Sequence, residues 1–125
     1  MRAVQPKIVI AKIQRQYWNA IARGEKTLEI RDEYIPAQYM VFTDLEGERV
    51  YGVCRVKGIT TLSAGLVELP IGACCTVAQL AACYPHAVDE GCTVRPLYAY
   101  SVELLSCEAV FTRVMRESSG FLIPR

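Results

Sequence analysis

Apolar and polar positions along the chain follow two repeats, one of two residues and one of about 3.6. The run "PKIVIAKI" (6–13) is short, apolar and rich in β-branched residues, which predicts a strand. From Gln14 the spacing changes. Ile13, Tyr17 and Ile21 recur at i, i+4 and i+8 with Trp18 beside them, which predicts a helix over 14–24 and places Trp18 in the core. Gly24 stands where such a helix needs a left-handed residue to end. No Ser, Thr, Asp or Asn precedes Gln14, so the helix start is weakly marked. "KTLEIR" (26–31) then alternates strictly, with Leu28 and Ile30 on one face and Thr27, Glu29 and Arg31 on the other. That is the pattern of a half-buried strand.

"YMVFTD" (39–44) and "RVYGVCRVKGI" (49–59) read as a hairpin around "LEGE". In its second arm Val50, Cys54 and Val56 share one face, and Tyr51, Val53, Arg55 and Lys57 the other. Residues 60–75, with Gly65, Pro70 and Gly72, read as loop. "TVAQLAACY" (76–84) predicts a short helix capped by Thr76, with Val77, Leu80, Ala81 and Tyr84 on one stripe and Pro85 as its stop. "LYAYSVELLSCEAVF" (97–111) is the longest strand candidate. Strands dominate, and they do not alternate regularly with helices. This order suits an α+β fold, a small mixed β-barrel with two or more flanking short helices, better than a doubly wound sheet.

No repeat, low-complexity segment or linker interrupts the chain, so residues 1–125 are expected to form one domain. Apolar residues make up 52% and charged residues 22%, a balance that excludes a disordered chain. No apolar run approaches the roughly 20 residues of a membrane span, and the short apolar stretch near the N-terminus is broken by Lys12 and Arg15. A cytoplasmic protein without a membrane partner is expected. The net charge is only +1, yet residues 1–31 carry +5, residues 32–110 carry −6 and the last fifteen +2. A basic N-terminal quarter would attract phosphate if the fold gathers it on one face.

The six cysteines are Cys54, Cys74, Cys75, Cys83, Cys92 and Cys107, and no CxxC pair occurs among them. They are expected to be reduced and metal-free, since Cys83-x-x-His86 matches no standard zinc spacing. His86, the only histidine, follows Tyr84-Pro85 and is expected to be solvated or structural. No cofactor is expected.

The charged strand carries the candidate chemistry. Arg31 offers a planar fork for phosphate or carbonyl oxygens, and Glu29 an acceptor for an amino group such as cytosine N4. Lys26 is the third charge, but strict alternation puts it on the Leu28 and Ile30 side, so a bend near Gly24–Thr27 has to turn it toward the others. Tyr98 and Tyr100, on one face of the last strand, are either a stacking platform for a base or half-buried packing. The plain alternative for the whole strand is a solvated, salt-bridged surface.

A helix ending in Gly24, followed by Lys26, Glu29 and Arg31 as G-x-K-x-x-E-x-R, resembles the ASCH domain family, as does the order of elements around it. The resemblance implies a PUA-like β-barrel and a role in recognising RNA or modified bases. "NAIARGEKTLEIRD" together with Tyr84-Pro85 is similar, more narrowly, to the small bacterial acetylcytidine amidohydrolases. That likeness implies a catalytic role for Lys26, places Glu29 where those enzymes have a catalytic threonine, and puts their catalytic glutamate near Glu68. Three functions follow as expectations. The first is binding of RNA or a modified nucleoside by Lys26, Thr27, Glu29 and Arg31, with Arg55, Lys57 and Tyr98 as further contacts. The second is metal-independent removal of the acyl group from an N-acylated cytidine, with Lys26, Glu29 and Glu68 as catalytic residues. The third is a protein-interaction domain that keeps only the fold.

Overall fold

The computed structural model describes residues 7–62, 69–105 and 122–123. Among them a mixed sheet runs in the order β2-β7-β4-β3-β1-β8. Its strands are β1 (Ile8–Lys12), β2 (Leu28–Arg31), β3 (Tyr39–Thr43), β4 (Val50–Leu62), β7 (Leu97–Leu105) and β8 (Leu122–Ile123). A separate two-stranded ribbon pairs β5 (Val88–Asp89) with β6 (Cys92–Thr93). β1 is parallel to β3 and β8, and every other neighbour in the large sheet is antiparallel. The sheet curls into a half-barrel. Helix α1 (Arg15–Ala22) and helix α2 (Val77–Cys83) pack against it, and a 3-10 turn (Ile71–Ala73) precedes α2. The fold is α+β, and no helix among the described residues is long and apolar enough to cross a membrane.

The helices form where capping and periodicity place them. The α2 N-terminus has a full capping box, Thr76 accepting from Gln79 N–H and the Gln79 side chain accepting from Thr76 N–H. Its stripe of Leu80, Val77, Ala81 and Tyr84 packs with Ile30, Leu97 and Ala99 on one face of the sheet. Helix α1 has no side-chain cap at Gln14. Its stability comes from burial of Ile21 against Ala11, Phe42, Tyr100 and Val102 on the other face. Trp18 sits at the edge of that core, stacked on Tyr51 at 5.9 Å and 12°.

Two departures from the alternating pattern arise in β4. It is longer than expected, running through Leu62 into the stretch read as loop, and at 13 residues it exceeds the 9 described for β7. Residues 106–111 of the expected final strand lie outside the described residues. β4 is also irregular near its start and at its middle, with register shifts opposite Phe42/Thr43 and between Val56 and Gly58. The first moves Tyr51 onto the face of Cys54, with Trp18, while Val53 packs on the opposite face with Ile8 and Val41. The second brings Ile59 onto the Tyr100 side. A bulge adds one residue to one strand only, so it inverts the alternation beyond it.

The Trp18 ring lies directly over Gly52, where a Cβ would fall 2.6 Å from the indole. Gly52→Val is therefore expected to cost about 1–3 kcal/mol by overpacking, read as a lower urea midpoint with a shifted Trp18 fluorescence maximum. An unchanged midpoint would mean that the ring has room to move.

Candidate functional site

The site begins at the end of α1. Gly24 takes φ +79°, and the N–H groups of Glu25 and Lys26 both donate to Ala20 O, at 3.0 and 3.1 Å. The chain is thereby folded back under the helix before β2 starts at Leu28. Lys26 belongs to this turn, so the alternation of β2 does not govern its side chain. This is the bend the charged motif requires. Thr27 then anchors both sides: its N–H donates to Gly72 O at 2.8 Å and its carbonyl accepts from Val102 N at 2.9 Å. Gly72 comes so close that a Cβ there would lie 2.2 Å from Thr27 Oγ1. That contact seats the 3-10 turn and presents Ala73 O to Lys26 Nζ, which donates to it at 2.5 Å.

Three charges meet at Glu29. Its Oε1 lies 3.6 Å from Lys26 Nζ and its Oε2 accepts from Arg31 Nη1 at 3.2 Å. The side chains are only 2%, 8% and 16% exposed for Lys26, Glu29 and Arg31, so this is a buried network rather than a solvated strand surface. Arg31 Nη1 also donates to Lys12 O at 3.0 Å, tying the network to the end of β1. Burial, the largest influence, works against the Arg31 charge, but Glu29 foremost, with Tyr84 and Asp32, together hold the guanidinium pKa above its ordinary value. The Tyr17 ring lies beneath Lys26 Nζ at 5.4 Å, a cation–π contact.

The network forms the floor of a cavity of about 310 Å³ between α1, β2 and α2. Ile13, Leu45 and Leu80 supply apolar wall, Tyr17 and Tyr84 the aromatic wall, and Gln14 and Gln79 the amides. Cys75 and Cys83 also face it, and Gln14 Nε2 donates to Cys83 Sγ at 3.9 Å. Tyr84 is fixed by its hydroxyl, which donates to Ile30 O at 3.0 Å. Burial raises its pKa strongly, and burial likewise raises that of Cys75.

Lys26, Glu29 and Arg31 thus come together. Other candidates lie elsewhere. Thr27 is exposed and holds backbone. Arg55 and Lys57 are exposed and do not line the cavity. Tyr98 pairs with Arg31 across the strands but stands outside the cavity, and Tyr100 is buried. The two tyrosines therefore do not form a shared platform. Glu68 and Cys107 lie outside the described residues. His86 Nε2 is 3.1 Å from Asp32 Oδ2. Among the described residues no three His, Cys, Asp or Glu side chains cluster closely enough to hold a metal. The sequence reading missed Tyr17 and Tyr84 as cavity walls. Each occupied an apolar helix stripe, and that position does not distinguish a core side chain from one lining a cavity.

The curled mixed half-barrel is an ASCH-like α+β fold. The chain is similar to the crystal structure of a mutant of ZmASCH from Zymomonas mobilis, with a TM-score of 0.58 and 16% identity over 85% of this chain and 80% of that one. It is similar also to EF3133 from Enterococcus faecalis V583, with a TM-score of 0.52, 11% identity and coverage of 84% and 83%. A third likeness is to the hypothetical protein PH0355, with a TM-score of 0.50, 21% identity and coverage of 79% and 99%. At these identities the likeness is one of fold. No protein-family model matches the chain, and no curated protein is similar enough in sequence to match.

Because Glu29 serves two cations, Glu29→Leu is expected to cost about 3 kcal/mol or more, leaving both charges uncompensated. Lys26→Met should cost less, about 1–3 kcal/mol, since Glu29 keeps Arg31. Urea unfolding checks the order, and a neutral Glu29→Leu would overturn the network as described.

Stability should also fall in alkali. Burial pushes the Cys54 thiol from its ordinary 9.0 up to about 12. Above pH 9.0 the unfolded chain releases this proton while the fold keeps it, so stability declines progressively from there through about 12. The urea midpoint should drop between about pH 8 and pH 10, and Cys54→Ala should make that drop shallower. An identical slope in the variant would assign the decline to other groups.

Proposed function

We propose that the cavity binds a nucleoside, either free and modified or as one residue of RNA. The observation that carries this reading is the buried Lys26–Glu29–Arg31 network at the floor of a cavity of about 310 Å³ walled by Tyr17 and Tyr84. That volume is at the small end of ligand pockets, which run from roughly 300 Å³ upward, and suits a base with its sugar. The chemistry is selective. Glu29 accepts from an exocyclic amine, and Arg31 uses only Nη1 among the described residues, leaving Nε and Nη2 for a carbonyl or phosphate oxygen. The tyrosine rings provide faces for a planar ring. The ASCH-like fold supports the same reading, because that family resemblance implies recognition of RNA or modified bases.

A second reading is the metal-independent amidohydrolase. It is favoured by one observation, a buried Lys26 that lines the cavity with its Nζ 3.6 Å from the Glu29 carboxylate. In an amide substrate Lys26 would stabilise the developing oxyanion and Glu29 would hold the amine or activate water. Binding needs only the groups in place. Hydrolysis needs, in addition, the carboxylate assigned to Glu68. Binding is therefore the preferred function.

Calorimetric titration with cytidine monophosphate, cytidine and acetylated cytidine tests both readings. Binding is expected, and Arg31→Ala should weaken the monophosphate roughly tenfold, with affinity falling as salt rises because a phosphate contact releases counterions. Binding indifferent to both salt and Arg31→Ala would place the ligand elsewhere. Release of acetate from acetylated cytidine, abolished in Lys26→Ala, would promote the hydrolase over the binding module.

A further inference from the structure

Tyr34 has no role in the core. It is 55% exposed, in the connection between β2 and β3. Yet its backbone is held firmly. The hydroxyl of buried Tyr100 donates to Glu33 O at 2.5 Å and accepts from Ile35 N at 2.9 Å, so one side chain grips the residues on both sides of Tyr34. The ring is oriented as well, meeting Tyr98 edge-on at 5.5 Å and 62°. An exposed loop tyrosine is ordinarily free to swing. Here a buried phenol and a neighbouring ring fix it, which is the arrangement of a prepaid aromatic surface.

Its place relative to the cavity is specific. Tyr98 is the direct cross-strand partner of Arg31, and such partners stand about 5 Å apart. Arg31 lines the cavity and has donors to spare. The order along this face is therefore cavity, guanidinium, Tyr98, Tyr34. A single-stranded nucleic acid repeats base, phosphate, base, and the face repeats aromatic-walled cavity, cation, aromatic. Of the acids near this face, Glu29 is held between Lys26 and Arg31, and Asp32 lies 3.1 Å from His86.

We propose that Tyr34, backed by Tyr98, is a second stacking site for the base adjoining the one in the cavity, with Arg31 contacting the phosphate between them. This inference rests on the nucleoside reading of the cavity and deepens it. The ligand is then a single-stranded oligonucleotide rather than a free nucleoside, and Tyr34 contributes only when a neighbouring base is present.

The test compares cytidine monophosphate with the RNA trinucleotide ApCpA, binding to the full chain and to its Tyr34→Ala and Tyr34→Trp variants by calorimetry. The trinucleotide should bind more tightly than the monophosphate by roughly tenfold, the size of one base–aromatic stack. Tyr34→Ala should remove that advantage and leave monophosphate binding unchanged, while Tyr34→Trp should retain it. Equal affinity of both probes, with Tyr34→Ala silent, overturns the second site and leaves the cavity reading intact. No binding of either probe overturns both.

Discussion

Everything near the cavity depends on the burial of one carboxylate. Glu29 is 6% exposed, on a strand whose other face packs into the core. A charge so placed is tolerable only with partners. Each of the two cations at 3.2 and 3.6 Å recovers roughly 4 kcal/mol at an effective dielectric of about 20. Desolvation costs several kcal/mol per ion, so the gain and the cost are of the same size. The network therefore adds little net stability, but it allows few arrangements of its surroundings. The α1 terminus must turn sharply to deliver Lys26, the 3-10 turn must offer Ala73 O, and the end of β1 must offer Lys12 O. Three segments distant in sequence are fixed by the needs of one side chain.

The same network explains why the space beside it stays open. Apolar groups cannot close over polar atoms without leaving them unsatisfied. Here every buried side-chain nitrogen and oxygen among the described residues has a partner. The donors left over on Arg31 face accessible space. A polar floor under aromatic and aliphatic walls gives orientation below and contact area around, the division of labour seen in small-molecule sites. In the proposed function that floor reads the edge of a base, and the tyrosine walls meet its faces.

Two tyrosines of β7 show how one strand position separates structure from surface. Tyr98 and Tyr100 point to the same side and are two residues apart. Tyr100 is buried and uses its hydroxyl to hold the loop of residues 33–35, whereas Tyr98 stays half-buried and supports Tyr34. The pattern of alternation makes them equivalent. What distinguishes them is the core: Tyr100 is a buried member of the cluster with Ile21, Phe42 and Val102, and Tyr98 only borders it.

Much of the fold was legible because it rests on local rules. The turn at Gly24, the Thr76 cap, the α2 stripe and the hairpin arms depend on residues within a few positions of one another, where backbone sterics and periodicity act directly. The motif spacing of Lys26, Glu29 and Arg31 was legible in the same way. The bulges of β4 were not, because one extra residue in a strand leaves no trace in its hydrophobic pattern and is set by the partner strand. Nor were Tyr17 and Tyr84 as cavity walls, or Arg55 and Lys57 as exposed positions away from it. Which apolar stripe meets a core and which meets a void depends on how two helices and a curled sheet leave space between them. By itself the sequence determined which residues carry charge and where the chain turns. Only the tertiary structure decided that three of those charges share one buried point, because desolvation acts on groups brought together in space, whatever their order along the chain.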